Sequence, residues 1–139
     1  MRAAITEHDD VAAAAFAKGE KVLSQLSPEG VAPPWETLAD IAPVLGRQVG
    51  HTFGAVMSRP GLDLRTRELA TVCMLAAMGG LEPQLTFHVG GALRAGATAN
   101  EIVEAVTQVS AYAGIPRALN AMAVVRSVFA GEGVTADVE

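Results

Sequence analysis

The side chains most able to exchange protons stand in the middle of the chain, at Glu68 and His88. The residues after Glu68 are apolar on nearly every side of the helix that they form, so we expect this helix to be buried. A buried carboxylate needs a partner. In the next helix the apolar spacing places His88 on the inward-facing stripe, which makes it the expected partner. A histidine in that position is either a hydrogen-bonded core residue or a proton-transfer group.

Glycine, proline and capping residues divide this region into helices. Asp63 is placed to cap the helix that carries Arg65, Arg67 and Glu68. A run of charge at a helix start is often only a solvated end, so Arg65 has a structural alternative. The remaining boundaries are Gly79–Gly80, Pro83, Gly96, a capping box at Thr98–Glu101, Gly114 and Pro116.

The first part of the chain also reads as helical. We expect a helix over residues 7–26, a short turn of helix over 35–41, and a further helix that begins at Pro43. His51 falls off the apolar stripe of that last helix, so we expect it at the surface or at a subunit contact. The stripe itself consists of Leu45, Val49, Thr52, Phe53 and Val56.

The predicted fold class is all-α, a compact bundle of about six helices in a single domain over residues 1–139. No segment shows sustained period-two alternation, and no glycine-rich loop has the phosphate-binding form. The residues after Gly131 are expected to be loose.

Composition limits the class of partner. The net charge is −5 with no block of Lys or Arg, which argues against nucleic acid and anionic lipid. No apolar run reaches the roughly 18 to 20 residues that a membrane span needs. Half of the residues are nevertheless hydrophobic, so we expect sister subunits to cover the excess apolar surface.

The single cysteine, Cys73, excludes an intrachain disulfide and a cysteine-based zinc site. The first residues of the chain have no apolar core of signal-peptide type, so we expect a cytoplasmic protein.

Several motifs together resemble the carboxymuconolactone decarboxylase family, over most of the chain. They are the runs Ser58–Arg67, His88–Gly96, Glu101–Ile102 and Tyr112–Ala118, with Gly19–Leu23 similar to that family's first helix. The resemblance implies a helical bundle that assembles as a homotrimer or homohexamer. It also implies a pocket between the helices that carry Arg67 and His88, with contributions from a neighbouring subunit.

The sister branch, the alkylhydroperoxidase D proteins, has a Cys-x-x-Cys-x-x-x-His motif on the equivalent helix. Leu81 and Gln84 stand here at the two cysteine positions, ahead of His88. Cys73 is on another helix, so no pair of thiols can run a disulfide cycle. The sequence therefore argues against a thiol peroxidase.

The reaction that the resemblance implies is the decarboxylation of 4-carboxymuconolactone, whose conjugated lactone carbonyl is its own electron sink. No metal, pyridoxal or thiamine cofactor is needed. Arg67 or Arg59 then suits the second carboxylate, with Tyr112 as a further substrate-binding residue. His88 suits proton delivery, and Glu68 is expected to orient it or share its proton.

The chain departs from the family pattern at two positions near the implied pocket. Met57 stands where close decarboxylases often carry tryptophan, and Glu68 stands where they carry a smaller polar residue. Two alternatives therefore remain open. One is a related enzyme acting on a quinone, lactone or β-keto acid in another pathway, and the other is a non-catalytic oligomer that binds a small acid.

Overall fold

The computed structural model describes residues 2–137, with side chains from Asp10 onward. This part of the chain is helical and contains no β-strand, which confirms the all-α prediction. Seven α-helices, one more than the approximate six expected, and one π-helical segment follow in order: α1 Arg2–Leu26, α2 Pro34–Thr37, α3 Pro43–Thr52, the π-helix Phe53–Met57, α4 Leu64–Met78, α5 Glu82–Arg94, α6 Ala99–Ala113 and α7 Ile115–Glu132.

The helices form two compact units, Met1–Leu62 and Asp63–Glu139. The first unit contains α1 to the π-helix, and the second contains α4 to α7. Whether they form the one domain expected for residues 1–139 stays a prediction. None of the helices in the described part of the chain is both long and apolar enough to cross a membrane.

In the first unit, α1 packs against α3 and the π-helix through glycines. Gly50 and Gly54 are buried on that face, where Gly50 faces the Phe16 ring and a Cβ added to Gly54 would collide with the Ala15 carbonyl group of α1. Gly46 is also buried, but against Pro34 and Trp35 of α2. The predicted apolar stripe on α3 is therefore wrong, because the helices approach closely enough to bury backbone instead of large side chains. Leu45, Thr52 and Val56 of that stripe are exposed.

His51 is half-buried in this unit, where its ring meets Phe16 edge to face at a centroid distance of 5.3 Å. It is thus a packing residue within the unit rather than a solvent-facing one. Two helix bounds also differ from the expectation. Helix α1 begins at Arg2 instead of residue 7, and α2 is a single turn that ends at Thr37.

In the second unit, the hairpins α4–α5 and α6–α7 pack on one another. Small aliphatic side chains from all four helices fill most of the core. The apolar residues with at most 1% exposure at its centre are Val72, Val89, Ala92, Ile102, Val106 and Val125.

The local boundary signals of this unit are confirmed. Asp63 accepts a hydrogen bond from the Thr66 amide at 2.7 Å. Thr98 and Glu101 form the reciprocal capping box, with bonds of 3.2 and 2.8 Å. The four glycines at the predicted breaks all have positive φ, a conformation that glycine adopts without a steric penalty: Gly79, Gly80, Gly96 and Gly114.

Two expectations for this unit are wrong. Helix α4 is not buried all round, because Met74 and Met78 are 58% and 62% exposed. The chain beyond Gly131 also stays attached as far as residue 137. Val134 donates to the Phe129 carbonyl at 2.9 Å, and the Asp137 amide donates to the Asn100 side chain at 2.8 Å.

Candidate active site

Glu68 and His88 meet in the second unit. The Asp63 cap starts α4, and its buried stripe then repeats every four residues as Glu68, Val72 and Ala76. On α5, His88 follows Leu85 by one turn. Glu68 Oε2 lies 2.8 Å from His88 Nδ1. The expected contact between the carboxylate and the histidine is therefore present.

The pair is asymmetric in its exposure to solvent. The Glu68 side chain is completely buried, whereas 13% of the His88 side chain is exposed. Burying an ionised carboxylate without compensation costs several kcal/mol, so the imidazole is the group that makes Glu68 tolerable at this position. The second oxygen, Oε1, is buried and has no hydrogen-bond partner among the described residues.

This geometry lets one proton be held in two ways. An ionised carboxylate can only accept, so Nδ1–H then donates to Glu68, and Nε2 is the ring nitrogen that this bond does not use. In the other arrangement, a protonated carboxyl group donates to Nδ1. Either way the carboxyl group fixes the orientation of the imidazole, as in other sites where a buried acid sets the tautomer of a histidine.

Arg67 precedes Glu68 on α4 and is half-buried. Successive residues of an α-helix point about 100° apart, so its side chain leaves the helix on a different side from Glu68. Its carbonyl group accepts a hydrogen bond from the Thr71 hydroxyl at 2.9 Å. The role of Arg67 in substrate binding stays a prediction.

Arg65, also on α4, has a structural role. It forms an ion pair with Glu101, the same residue whose other oxygen completes the capping box of α6. This bond ties the start of α4 to the start of α6. The structural alternative for Arg65 is therefore supported by a specific contact.

Arg59 and Tyr112 are also predicted to bind the substrate, and these roles stay predictions. Arg59 is in the first unit, in the turn after the π-helix, where its amide donates to the Val56 carbonyl at 3.3 Å. Tyr112 is on α6 and is 91% exposed. It lines a groove of about 310 Å³ between α4 and α6, together with Cys73 and Met74. Neither Glu68 nor His88 lines that groove.

Cys73 has the environment of a packing residue. Its thiol donates to the Ala105 carbonyl at 3.5 Å, and burial raises the pKa of the thiol. Because the thiolate is the reactive form, this environment disfavours reaction with peroxide. Among the described residues, no three His, Cys, Asp or Glu side chains come together in a way that could hold a metal ion.

A cavity of about 520 Å³ at the other end of α4 was not predicted. It lies between the Gly79–Gly80 turn, the start of α5 and the start of α7, and Arg117 and Asn120 are among its lining residues. Arg117 donates to the Met78 carbonyl, at the C-terminal end of α4. No local signal in the sequence places Arg117 at this turn, because the contact joins positions 39 residues apart.

The fold and the pair together define a small helical protein with a buried acid–histidine site. The chain belongs to the carboxymuconolactone decarboxylase family, whose model matches residues 43–127. Both Glu68 and His88 lie within the matched region.

Similar proteins include decarboxylases. The chain is 38% identical over 82 residues to 4-carboxymuconolactone decarboxylase of Acinetobacter baylyi, covering 59% of this chain and 60% of that protein. It is 38% identical over 72 residues to nitrosuccinic acid decarboxylase npaB of Metarhizium robertsii, covering 52% and 50%. It is 43% identical over 81 residues to an uncharacterized 15.0 kDa protein of Paracoccus denitrificans, and this match covers 58% of this chain and 60% of that protein. The chain thus spans between half and three-fifths of these relatives' lengths.

Proposed function

We propose that this protein is a cofactor-independent decarboxylase of a small carboxylated lactone similar to 4-carboxymuconolactone, acting in aromatic-compound catabolism. The observation that carries the proposal is the hydrogen bond between the buried Glu68 and the partly exposed His88. Membership of the family and the names of two relatives support decarboxylation as the reaction class.

The proposed chemistry uses the substrate as its own electron acceptor. The bond between the ring carbon and the leaving carboxylate breaks, and its electron pair moves through the alkene to the lactone carbonyl. The resulting dienolate takes a proton at the ring carbon next to the carbonyl, so one CO₂ leaves and one proton is added. A nitro group can accept an electron pair in the same way. Nitrosuccinic acid, which the name of the Metarhizium robertsii relative gives as its substrate, is therefore chemically comparable.

In this scheme His88 delivers the proton and Glu68 holds the ring in position. Nδ1 faces Glu68, so the proton passes to the dienolate from Nε2. His88 then regains a proton from solvent, to which 13% of its side chain is exposed. A positioned acid or base of this kind contributes about 100-fold or more to the rate.

The direct test is to incubate the purified protein with 4-carboxymuconolactone, without added cofactor, and to follow CO₂ release. We expect turnover that persists after dialysis against chelator. No CO₂ release above the rate in buffer would exclude this substrate. Nitrosuccinate and other small acids with an internal electron acceptor would then be assayed in the same way.

We also propose that the protein is a homo-oligomer, as a trimer or a hexamer. Five large apolar side chains of the second unit are at least half exposed: Met74, Met78, Tyr112, Ile115 and Leu119. Self-association would remove such a surface from water. Light scattering coupled to gel filtration measures the mass directly, and a monomer at micromolar concentration would contradict this part of the proposal.

A further inference from the structure

We propose that the cavity between α4, α5 and α7 binds the carboxylate that the substrate keeps, with Arg117 as its anchor. The inference rests on the proposed function for the identity of the acid. The binding of an acid to this cavity can nevertheless be measured without any turnover.

The cavity has the composition of a small-molecule site. Ala76, Leu85 and Ala121 are buried apolar residues in its wall, and Arg117, Asn120 and Glu82 are exposed polar residues that also line it. Ligand sites typically combine an apolar surface with a few polar groups, in a volume of about 300–1,000 Å³. The volume here, about 520 Å³, falls in that range.

Arg117 is exposed, and its guanidinium group contacts the end of α4. Its Nη1 donates to the Met78 carbonyl, and a Cβ on Gly79 would collide with the guanidinium group. Gly79 also has φ +69°, a conformation in which other residues are strained. A guanidinium group that donates through one nitrogen still has N–H donors on the other two nitrogens. Carboxylate is the group that these paired donors bind best.

The cavity and the Glu68–His88 pair share two helices. Leu85 is in the cavity wall, and His88 lies three residues further along α5, about 4.5 Å along the helix axis. On α4, Ala76 is in the wall and belongs to the same buried stripe as Glu68. Neither Glu68 nor His88 lines the cavity itself, and Ala76 is about 12 Å along α4 from Glu68. An acid anchored at Arg117 must therefore extend past Leu85 to reach the imidazole of His88.

The acid that tests this inference is muconolactone, which has the butenolide ring and the acetate arm but lacks the carboxylate that leaves. Calorimetric titration should show binding to the wild-type protein. The methyl ester, which lacks the charge, should bind about 10-fold or more weakly, because charge-assisted hydrogen bonds are about twice as strong as neutral ones.

Arg117→Gln should bind acid and ester equally, and Arg117→Lys should recover part of the difference. Arg126→Gln is the matched control, since Arg126 is exposed on the same helix and does not line the cavity. Asn120→Asp gives a second test that keeps Arg117. A carboxylate at this exposed position should weaken binding of the acid about 10-fold and leave the ester unaffected.

The inference is overturned if wild-type protein does not bind muconolactone, or does not distinguish it from the ester. It is equally overturned if Arg117→Gln binds the acid as tightly as Arg126→Gln does. Should Arg117→Gln fail to fold, unchanged acid binding by Asn120→Asp overturns it. Binding that depends on Arg117, without any CO₂ release from 4-carboxymuconolactone, would refute the proposed function alone. Turnover with unchanged KM in Arg117→Gln would refute this inference alone.

Discussion

His88 Nδ1 and Glu68 Oε2 lie 2.8 Å apart, and the carboxyl group is fully buried while the imidazole reaches the surface. A pair made only for stability has little reason to bury a carboxyl group whose second oxygen has no partner among the described residues, because replacing buried ion pairs by apolar residues is often neutral or stabilising. The arrangement is better suited to holding an imidazole at a fixed angle to a reactant.

His88→Gln should separate catalysis from packing. Glutamine is a good helix former and its amide can still donate to Glu68, so we expect the helix content to be retained. Decarboxylation should fall about 100-fold or more, because the amide cannot transfer a proton. His51→Gln is the control, since that histidine packs on Phe16 in the first unit. Full activity with a lowered Tm would make His88 a packing residue.

Glu68→Gln should show whether the buried carboxyl group orients His88 by its charge. The side chain keeps its size and one oxygen near Nδ1, so the fold should be maintained. We expect kcat to fall about 10-fold or more while KM changes little, because the loss concerns the proton-transfer step and not substrate binding. Glu104→Gln, at an exposed position on α6, is the matched control. Equal loss of kcat in both variants would contradict the assignment.

Boundary residues were the most predictable part of the fold. The Asp63 cap, the Thr98–Glu101 capping box and the Gly79–Gly80 break depend on chemistry within a few residues, and the structure has all three. The contact between Glu68 and His88 could also be anticipated, because a charge inside an apolar helix needs a partner and the next helix offers one on its inward side.

Features that depend on close approach of distant segments were not predictable in this way. Apolar periodicity assumes that large side chains are buried, so it missed Gly50, which is buried against Phe16 of α1, and Gly46, which is buried against α2. The same limit applies to Arg117, whose contact with Met78 joins positions 39 residues apart. Nothing local to either residue indicates that they meet.

Asp63 should give the second unit a pH-dependent component of stability. The Thr66 amide, by hydrogen bonding, lowers the pKa of the Asp63 carboxyl group. A group whose pKa is lowered by folding stabilises the protein above its unfolded-state pKa of about 4, and this contribution is lost as the pH falls through the lowered value. Asp63→Asn keeps an acceptor at the cap but does not titrate.

Thermal unfolding of wild-type protein and Asp63→Asn between pH 7 and pH 3 measures this effect. We expect the wild-type protein to have the higher Tm at neutral pH and the difference to shrink as the solution becomes acidic. Asp63→Ala should have a lower Tm than either at neutral pH, because the amide of Thr66 loses its acceptor. A constant difference in Tm across this pH range would show that the charge of Asp63 does not contribute.

Three glycine-to-alanine variants should separate backbone strain from steric conflict at the end of α4. Gly79 and Gly80 both have positive φ, but only at Gly79 would a Cβ meet a neighbour, the guanidinium group of Arg117. Gly80→Ala therefore introduces strain alone, about 1–2 kcal/mol. Gly79→Ala combines the displacement of Arg117 with the strain of φ 69°, ψ 160°, a conformation nearly restricted to glycine. Gly131→Ala, inside α7 with open space around it, should stabilise the protein by about 0.5–1 kcal/mol. Denaturant titration measures the free energy of unfolding of all three variants. If Gly79→Ala is as stable as Gly80→Ala, Arg117 moves away without cost and the turn does not fix its position.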